Sequence, residues 1–333
     1  MIAGRLDGLV GEQNFRWTHA PIPTAGPGQA LVRNLWLSLD PTQLLPMVSS
    51  GPEDPIPIGE VLSASAVGEV VESQLAGFSR GDLVQGFFGW EDYTVTDGTG
   101  FPPMSKVPDG IPPHLALGVY GFTGMAAYFG VLDVGRPQRG ETFVVSGAAG
   151  GVGSIAGQIA KIHELRVIGI AGGKEKCDWL VHEAGFDGAI DHRSEDVPSR
   201  LSALLPDGID IYFDNIGGPL LDEVLGRLRQ RGRIVLCGAT SRYAATVPLP
   251  GPANYMTLVM VNGRMEGLLA RDYAERFPEA RAAMAGWLRS GQLKLKEDIL
   301  EGLENAPRAL ARLYSGANFG KQLLKIADPS PGV

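Results

Sequence analysis

The residues whose spacing most directly implies chemistry are the small ones from Gly147 to Gly153, in the order Gly147-Ala148-Ala149-Gly150-Gly151-Val152-Gly153. An apolar run at 142–146 precedes them and a helical pattern at about 152–163 follows. Glycine lets the backbone approach a pyrophosphate closely, and the free N–H groups at a helix start, aided by its dipole, receive the anion. A second strand at 166–170 completes the context of a dinucleotide loop; the plain alternative is a tight turn between strand and helix with no ligand. The pattern is A-x-G-x-x-G from Ala148, with Gly151 as an extra glycine, and so departs from the commonest G-x-G-x-x-G form.

The end of the second strand discriminates between nucleotides. NAD enzymes place Asp or Glu there, about 20 residues after the glycines, on the ribose 2′-hydroxyl. Here the place reads Ala171-Gly172-Gly173-Lys174-Glu175-Lys176, with no carboxylate at the strand terminus. A 2′-phosphate needs room and positive charge, which Gly172, Gly173 and Lys176 supply, and His192 and Arg193 approach the same end. NADP(H) is therefore expected over NAD(H). Lysines on an ordinary solvated first turn, partly offset by Glu175, are the alternative.

The elements that must position these groups alternate from Glu141 onward. Strands are expected at 142–146, 166–170, 188–190, 209–213 and 233–237, and helices at 152–163, 174–184 and 273–290. A last strand is expected at 321–326. Such alternation is the signature of a parallel sheet with crossover helices. The first ~115 residues are different: short apolar runs at 30–39, 66–72 and 82–86 lie between Pro- and Gly-rich turns, as in a β-barrel or sandwich. A helical stretch of small residues at 115–132 joins the two regions, and 301–305 reads as a helix start with a solvated face.

Composition narrows the function classes. Of 333 residues 46 are glycine, about twice the usual share, and 14 of them fall within 118–173. At 44% hydrophobic and 20% charged residues the chain can bury the core of one large domain or two ordinary ones. A net charge of −8 argues against nucleic acid as a partner. Cys177 and Cys237 make neither a disulfide framework nor a zinc site, which suits a reducing cytoplasm. Cys177, early in a helix, is either a thiol of lowered pKa or a buried structural one. The N-terminus lacks the apolar stretch of a signal peptide. The long uncharged run 142–160 holds five glycines and divides into strand, loop and helix, so no membrane span is expected. His114, His163 and His182 show no metal spacing.

Several spaced motifs together resemble one family. They are Val144-Val145-Ser146-Gly147-Ala148-Ala149-Gly150, Gly157-Gln158-Ile159-Ala160-Lys161, Ala171 to Cys177, Phe213-Asp214-Asn215-Ile216-Gly217-Gly218 and Cys237-Gly238-Ala239. Arg264-Met265-Glu266-Gly267 and Asn318-Phe319-Gly320-Lys321 complete the set. The chain resembles the zinc-independent medium-chain dehydrogenases/reductases, in the branch of prostaglandin reductases, leukotriene B4 dehydrogenases, 2-alkenal reductases and bacterial curcumin reductases. The resemblance implies an α/β fold, with a Rossmann-type parallel-sheet NADP-binding domain at 119–299. It adds a GroES-like β-rich substrate domain formed by 1–118 and 300–333, and a homodimer joined through the edges of the Rossmann sheets. It also implies NADPH-dependent reduction of the C=C bond of α,β-unsaturated ketones and aldehydes. Zinc-dependent relatives use an early Cys and a His-Glu pair; residues 1–170 hold no Cys, and Glu60 follows Gly59 rather than His, so no metal is expected.

Carried over by motif, Gly150, Gly151, Val152 and Gly153 would meet the pyrophosphate and Lys176, beside Gly172, the 2′-phosphate. His192 stands where relatives commonly have a tyrosine near the adenosine end. Asn215 would contact the cofactor, Cys237, Gly238, Ala239, Thr240 and Ser241 would line the nicotinamide side, and Asn318 would close on it. On residue type alone, Asn215 and Asn318 read as turn formers. Hydride transfer to the β-carbon leaves negative charge on the carbonyl oxygen, which needs a donor. Tyr243 matches the family tyrosine proposed for that work, a phenol that donates without carrying charge; packing on its loop is the alternative.

One departure affects the substrate. After Ser38-Leu39-Asp40-Pro41 relatives continue Tyr-Met-Arg, and this chain has Thr42-Gln43-Leu44. Loss of the aromatic and the cation implies a wider, less polar entrance, suited to small hydrophobic enones and enals, or to quinones, rather than to a carboxylate. Thr42, Leu44 and Tyr255 are the expected pocket residues. Tyr120 and Tyr255 either refill the cleft or pack into the core. The rival functions are an NADPH:quinone oxidoreductase and a non-catalytic NADPH-binding sensor.

Overall fold

The computed structural model describes residues 1–6, 8–48, 55–100, 102–247 and 249–330, and two β-sheets organise them. Strands β1 (Ala30–Ser38), β2 (Ser63–Ser73), β3 (Leu83–Gly89), β4 (Tyr93–Thr96) and β5 (Ser105–Lys106) build the first, with antiparallel pairing β1-β2-β3-β5 and β4 returning to β1. Turn-rich segments between short strands favour this antiparallel arrangement, because tight loops can join only neighbours running in opposite directions.

The helical stretch expected at 115–132 is broken. Helix α1 (Pro113–Leu117) stops at Gly118, and α2 (Phe122–Phe129) continues into a π-helical turn, Gly130–Gly135. Glycine is the reason for the break: a Cβ on Gly121 would lie 2.5 Å from the Ala116 carbonyl oxygen, and one on Gly124 only 1.8 Å from that of Val119. The chain doubles back on itself there in a way a larger residue forbids.

The second sheet is wholly parallel. Its elements run β6 (Thr142–Ser146), α3 (Gly151–Ile162), β7 (Arg166–Ala171), α4 (Lys174–His182), β8 (Gly188–Asp191), α5 (Val197–Leu204), β9 (Ile209–Asp214), α6 (Pro219–Leu225), β10 (Leu228–Leu236), α7 (Thr257–Met260) and β11 (Arg264–Gly267). The strand order is β11-β10-β9-β6-β7-β8. Alternate residues enter opposite layers: Phe143, Val145, Ile211 and Phe213 join one apolar cluster, Val144, Tyr212 and Ile234 another. Burial on both faces explains why these strands read as continuous apolar runs. The order reverses between β6 and β9, and a crevice outside the carboxyl ends of strands at such a switch point is where doubly wound sheets bind ligands.

The expected helix at 273–290 divides into a 3-10 turn, Ala270–Arg276, and α8 (Phe277–Arg289), with Pro278 at its start. The chain then rejoins the first sheet through β12 (Glu297–Glu301), α9 (Ala306–Ser315) and β13 (Lys321–Lys325); β13 pairs antiparallel with β1 and parallel with β12. Residue 300 thus falls inside a strand, and 301–305 is a strand end followed by a 3-10 turn whose Leu303 is buried. The α/β class, a parallel Rossmann-type sheet beside a β-rich region, agrees with the sequence. No helix of the described residues is long and apolar enough to cross a membrane.

Candidate active site

At the end of β6 the backbone enters the left-handed region at Gly147, φ +58°, and turns toward α3. Close packing holds the turn: a Cβ on Gly153 would sit 2.4 Å from the Gly147 carbonyl oxygen. Gly150 is the extended N-cap, and Gly151, Val152 and Gly153 form the first helical turn. The N–H groups of such a turn have no acceptor within the helix, and no acidic side chain occupies it here. The returning chain lies against this loop, with Gly320 N–H donating to the Ala149 carbonyl at 2.9 Å.

Twenty residues on, Gly172 lies beside the side chains of Arg193 and His192. A Cβ there would stand 2.9 Å from both Arg193 Nε and His192 Nε2, so these two side chains border the place where an NAD-type carboxylate would stand. Asp191 fixes the geometry: its carboxylate accepts from Gly173 N–H at 2.7 Å, Arg193 N–H at 3.0 Å and Ser194 Oγ at 2.8 Å. The Gly173 hydrogen bond is the main cause of its lowered pKa. Lys176 Nζ donates to the Gly316 carbonyl at 2.8 Å, and Arg193 Nη2 to Ser315 and Gly316 carbonyls at 3.0 and 3.1 Å. Among the described residues neither cation is ion-paired with a carboxylate. Burial, then repulsion from Arg193, lowers the Lys176 pKa. Two crowded cations resting on the carbonyls at the end of α9 are the donor set a phosphate monoester completes. Arg193, only a neighbour in the sequence reading, is thus an equal member of the pair. Cys177 is not activated: burial pushes its thiol up to about 11.

The third part forms where β6, β9 and β10 end. Asp214, fully buried, accepts on one carboxylate oxygen from Ser146 Oγ (3.0 Å), Tyr212 OH (2.9 Å) and the Ile216 and Gly217 N–H groups (2.9 Å each). Its residue type before Asn-Ile-Gly-Gly signals such a turn, but its role was not read from the sequence. Asn215 spends its side-chain amide on the Ser146 carbonyl at 2.7 Å, and Asn318 spends its own on the Gly320 carbonyl at 3.0 Å, so each also shapes a turn. The segment from Cys237 folds over this corner. Gly238 N–H reaches the Asp214 carbonyl, Thr240 N–H that of Asn215, and Ser241 Oγ that of Ile216 at 2.6 Å. Burial pushes the Cys237 thiol up to about 12. Tyr243 closes the segment, its phenolic oxygen accepting from Ala239 N–H at 3.0 Å. Among the described residues no acceptor takes the phenolic proton, which is left free to donate. Burial raises the Tyr243 pKa.

The residues expected at the pocket, Thr42, Leu44 and Tyr255, lie in different surroundings. Leu44 is fully buried in the apolar cluster of the first sheet, because the 3-10 turn Pro41–Met47 points it inward rather than into an entrance. Thr42 is exposed. Tyr255 is 57% exposed on the turn before α7, and Tyr120 packs on the core of the second sheet. What holds the Pro41 corner was missed by the sequence reading. Lys321 Nζ donates to the Leu39 carbonyl at 3.1 Å and pairs with Asp40, while its stem lies where a Cβ on Gly151 would be 3.0 Å away. One side chain therefore ties the corner to the phosphate loop.

Residues 1–104 match the family described as N-terminal domain of oxidoreductase, and 151–286 that described as zinc-binding dehydrogenase. Among the described residues no group of three or more His, Cys, Asp or Glu could hold a metal ion. The chain is similar to the NADPH-dependent curcumin reductase of Escherichia coli strain K12, 39% identical over 334 residues, covering 98% of this chain and 96% of that one. It is also similar to the NADP(+)-dependent 2-alkenal reductase of Nicotiana tabacum, 38% identical over 307 residues, 91% and 88% of the two chains. Among solved structures, that of CurA in complex with NADPH from Vibrio vulnificus matches with a TM-score of 0.92 at 39% identity, covering 98% of each chain.

Proposed function

The chain belongs to the zinc-independent medium-chain dehydrogenases/reductases, in the curcumin, 2-alkenal and prostaglandin reductase branch, and from that membership we propose that it reduces the C=C bond of neutral α,β-unsaturated ketones and aldehydes. It is an NADP(H)-dependent oxidoreductase, and its own residues suit that cofactor: the bare first turn of α3 suits a pyrophosphate, and the Lys176–Arg193 pair beside Gly172 a 2′-phosphate. When bound, NADPH supplies a hydride to the substrate β-carbon.

The observation that carries the proposal is the free phenolic proton of Tyr243 at the carboxyl end of the parallel sheet. With its oxygen held by Ala239 N–H, the phenol donates to the substrate carbonyl oxygen, where charge gathers as an enolate. Burial keeps it neutral, so it stabilises the oxyanion without adding charge to an apolar cleft. A solvent proton on the α-carbon then completes the saturated ketone or aldehyde, and one NADPH and one proton are consumed per bond reduced. NADPH oxidation should be measured against benzalacetone, trans-2-hexenal and menadione. Turnover of the enone and the enal with formation of the saturated products is expected. Turnover of menadione alone would make the chain a quinone reductase, and background rates with all three a nucleotide-binding sensor.

The proposal extends to assembly as a homodimer. Strand β11 is one of the two edges of the parallel sheet, and the segment leading into it exposes Tyr255, Met256, Val259 and Met260 at 56–77%. Apolar side chains beside an unpaired strand edge fit a second copy pairing edge to edge. Sedimentation equilibrium should give twice the 35.3 kDa chain mass; a monomer at micromolar concentration would refute it.

A further inference from the structure

Lys321 is almost wholly buried, its side chain 8% exposed, and no step of the chemistry above uses it. A buried ammonium needs partners, and these are fixed: Nζ donates to the Leu39 carbonyl at 3.1 Å and to Asp40 Oδ1 at 2.5 Å. Asp40 is held in turn, accepting from Ser38 Oγ and heading the turn Pro41–Met47. The backbone fixes the other end of the side chain. Gly320, φ +89°, pairs with Gly150 as a parallel bridge, and Lys321 N–H donates to the Lys296 carbonyl at 2.9 Å. Between these two anchors the stem lies against the phosphate loop: a Cβ on Gly151 would stand 3.0 Å from Lys321 Cδ and 3.4 Å from Lys321 Cβ. A small cavity opens beside the stem, lined also by Gly151, Ser154, Thr123 and Glu297, so shortening the side chain would leave Gly151 facing a void.

We propose that Lys321 is a positioning residue for dinucleotide binding: its stem, fixed at both ends, supports Gly151 and keeps the N–H groups of the first turn of α3 aimed at the pyrophosphate before any nucleotide arrives. The inference rests on the reading that this turn takes the pyrophosphate. Donors already in place need no ordering when the ligand binds, whereas a loop that can sink into a void must be ordered by each ligand it takes, and binding weakens. The pyrophosphate is common to NADPH and NADH, so Lys321 acts on both alike. That separates it from the Lys176–Arg193 pair, whose expected partner is present in NADPH only.

The test is calorimetric titration of the wild-type chain and of Lys321→Ala, Lys321→Arg and Gly151→Ala, with thermal unfolding followed in parallel. The probes are NADPH, NADH and adenosine 2′-monophosphate, which carries the 2′-phosphate and no pyrophosphate. Lys321→Ala is expected to raise the dissociation constants of NADPH and NADH alike by about tenfold and to leave that of adenosine 2′-monophosphate within about twofold. Lys321→Arg, which keeps a long stem and a cation for Asp40, should recover most of the loss. If the alanine variant does not fold, Lys321→Met takes its place, with about a threefold loss in the same pattern, since its stem remains but its anchor is gone. Unchanged NADPH and NADH affinity in a folded Lys321→Ala chain, whatever its unfolding temperature, overturns the inference and leaves Lys321 a strut. An equal loss for all three probes also overturns it, as a general loosening of the fold. Wild-type affinity of Gly151→Ala for both dinucleotides overturns the pyrophosphate reading and the inference with it.

Discussion

Replacing Lys176 and Arg193 together by alanine is expected to raise the dissociation constant for NADPH by about two to three orders of magnitude and to leave that for NADH nearly unchanged. On the proposed reading each cation would supply a charge-assisted hydrogen bond to the 2′-phosphate, worth about 1.5–3 kcal/mol, and every ~1.4 kcal/mol is a factor of ten. The bonds they give up, to the Ser315 and Gly316 carbonyls, are to neutral acceptors and cost less to break. NADH offers a hydroxyl at that place, so the pair has nothing to distinguish. Each single alanine variant should lose about tenfold, and Arg193→Lys should recover only part because it lacks the planar fork. Calorimetric titration with both nucleotides checks the prediction. An equal loss for NADPH and NADH would mean that the pair serves the fold, by tying α4 and the end of β8 to α9, and not the phosphate.

Tyr243→Phe is expected to lower kcat on the order of a hundredfold, the usual loss when one oxyanion donor is removed, with NADPH affinity within about twofold of wild type. The ring and its packing survive the change; the free proton does not. The Ala239 N–H loses its acceptor as well, a smaller effect that thermal unfolding would report. The pH dependence carries a sign. In the proposed role the protonated phenol is the donor, and burial raises its pKa above the ordinary value near 10, so the tyrosine should stay competent past pH 10 and any fall in rate assigned to it must lie above that. A loss of rate between pH 7 and 9 that disappears in the Phe variant would contradict this role, and unchanged turnover in that variant would reduce Tyr243 to loop packing.

Much of the second sheet is legible in the sequence alone. Thr142–Ser146 is delimited to the residue, and the other expected parallel strands differ mainly at their ends, because strands buried on both faces are unbroken apolar runs bounded by glycines. The elements that escape are those whose existence depends on a partner. Ser105–Lys106 is an exposed two-residue strand that only its pairing with β3 defines. Helix α9 begins at Ala306-Pro307 beyond a 3-10 turn and packs on β13, with nothing local to mark its far end but Gly316. The glycine breaks at 118–124 are visible as glycines, yet not as breaks, because the carbonyls that exclude a side chain come from the preceding turn.

By itself the sequence determined what contacts within one strand–loop–helix unit can encode: the phosphate loop Gly147 to Gly153, the open strand end at Gly172-Gly173, and with them the preference for NADP(H). The tertiary structure alone decided how those parts meet the rest. Lys176 reaches Gly316 across 140 residues, Tyr314 reaches Pro41 across 273, and Lys321 pairs with Asp40 across 281. Those encounters are set by the register of β13 on β1, where Ser38 opposes Leu323 and Leu37 opposes Leu324. A register shift of one residue would turn every side chain of β13 to the other face. Periodicity and spacing record neighbours a few residues apart. They carry no signal for which distant strand supplies the partner, and so the side chains that hold the Pro41 corner could not be read from its own neighbours.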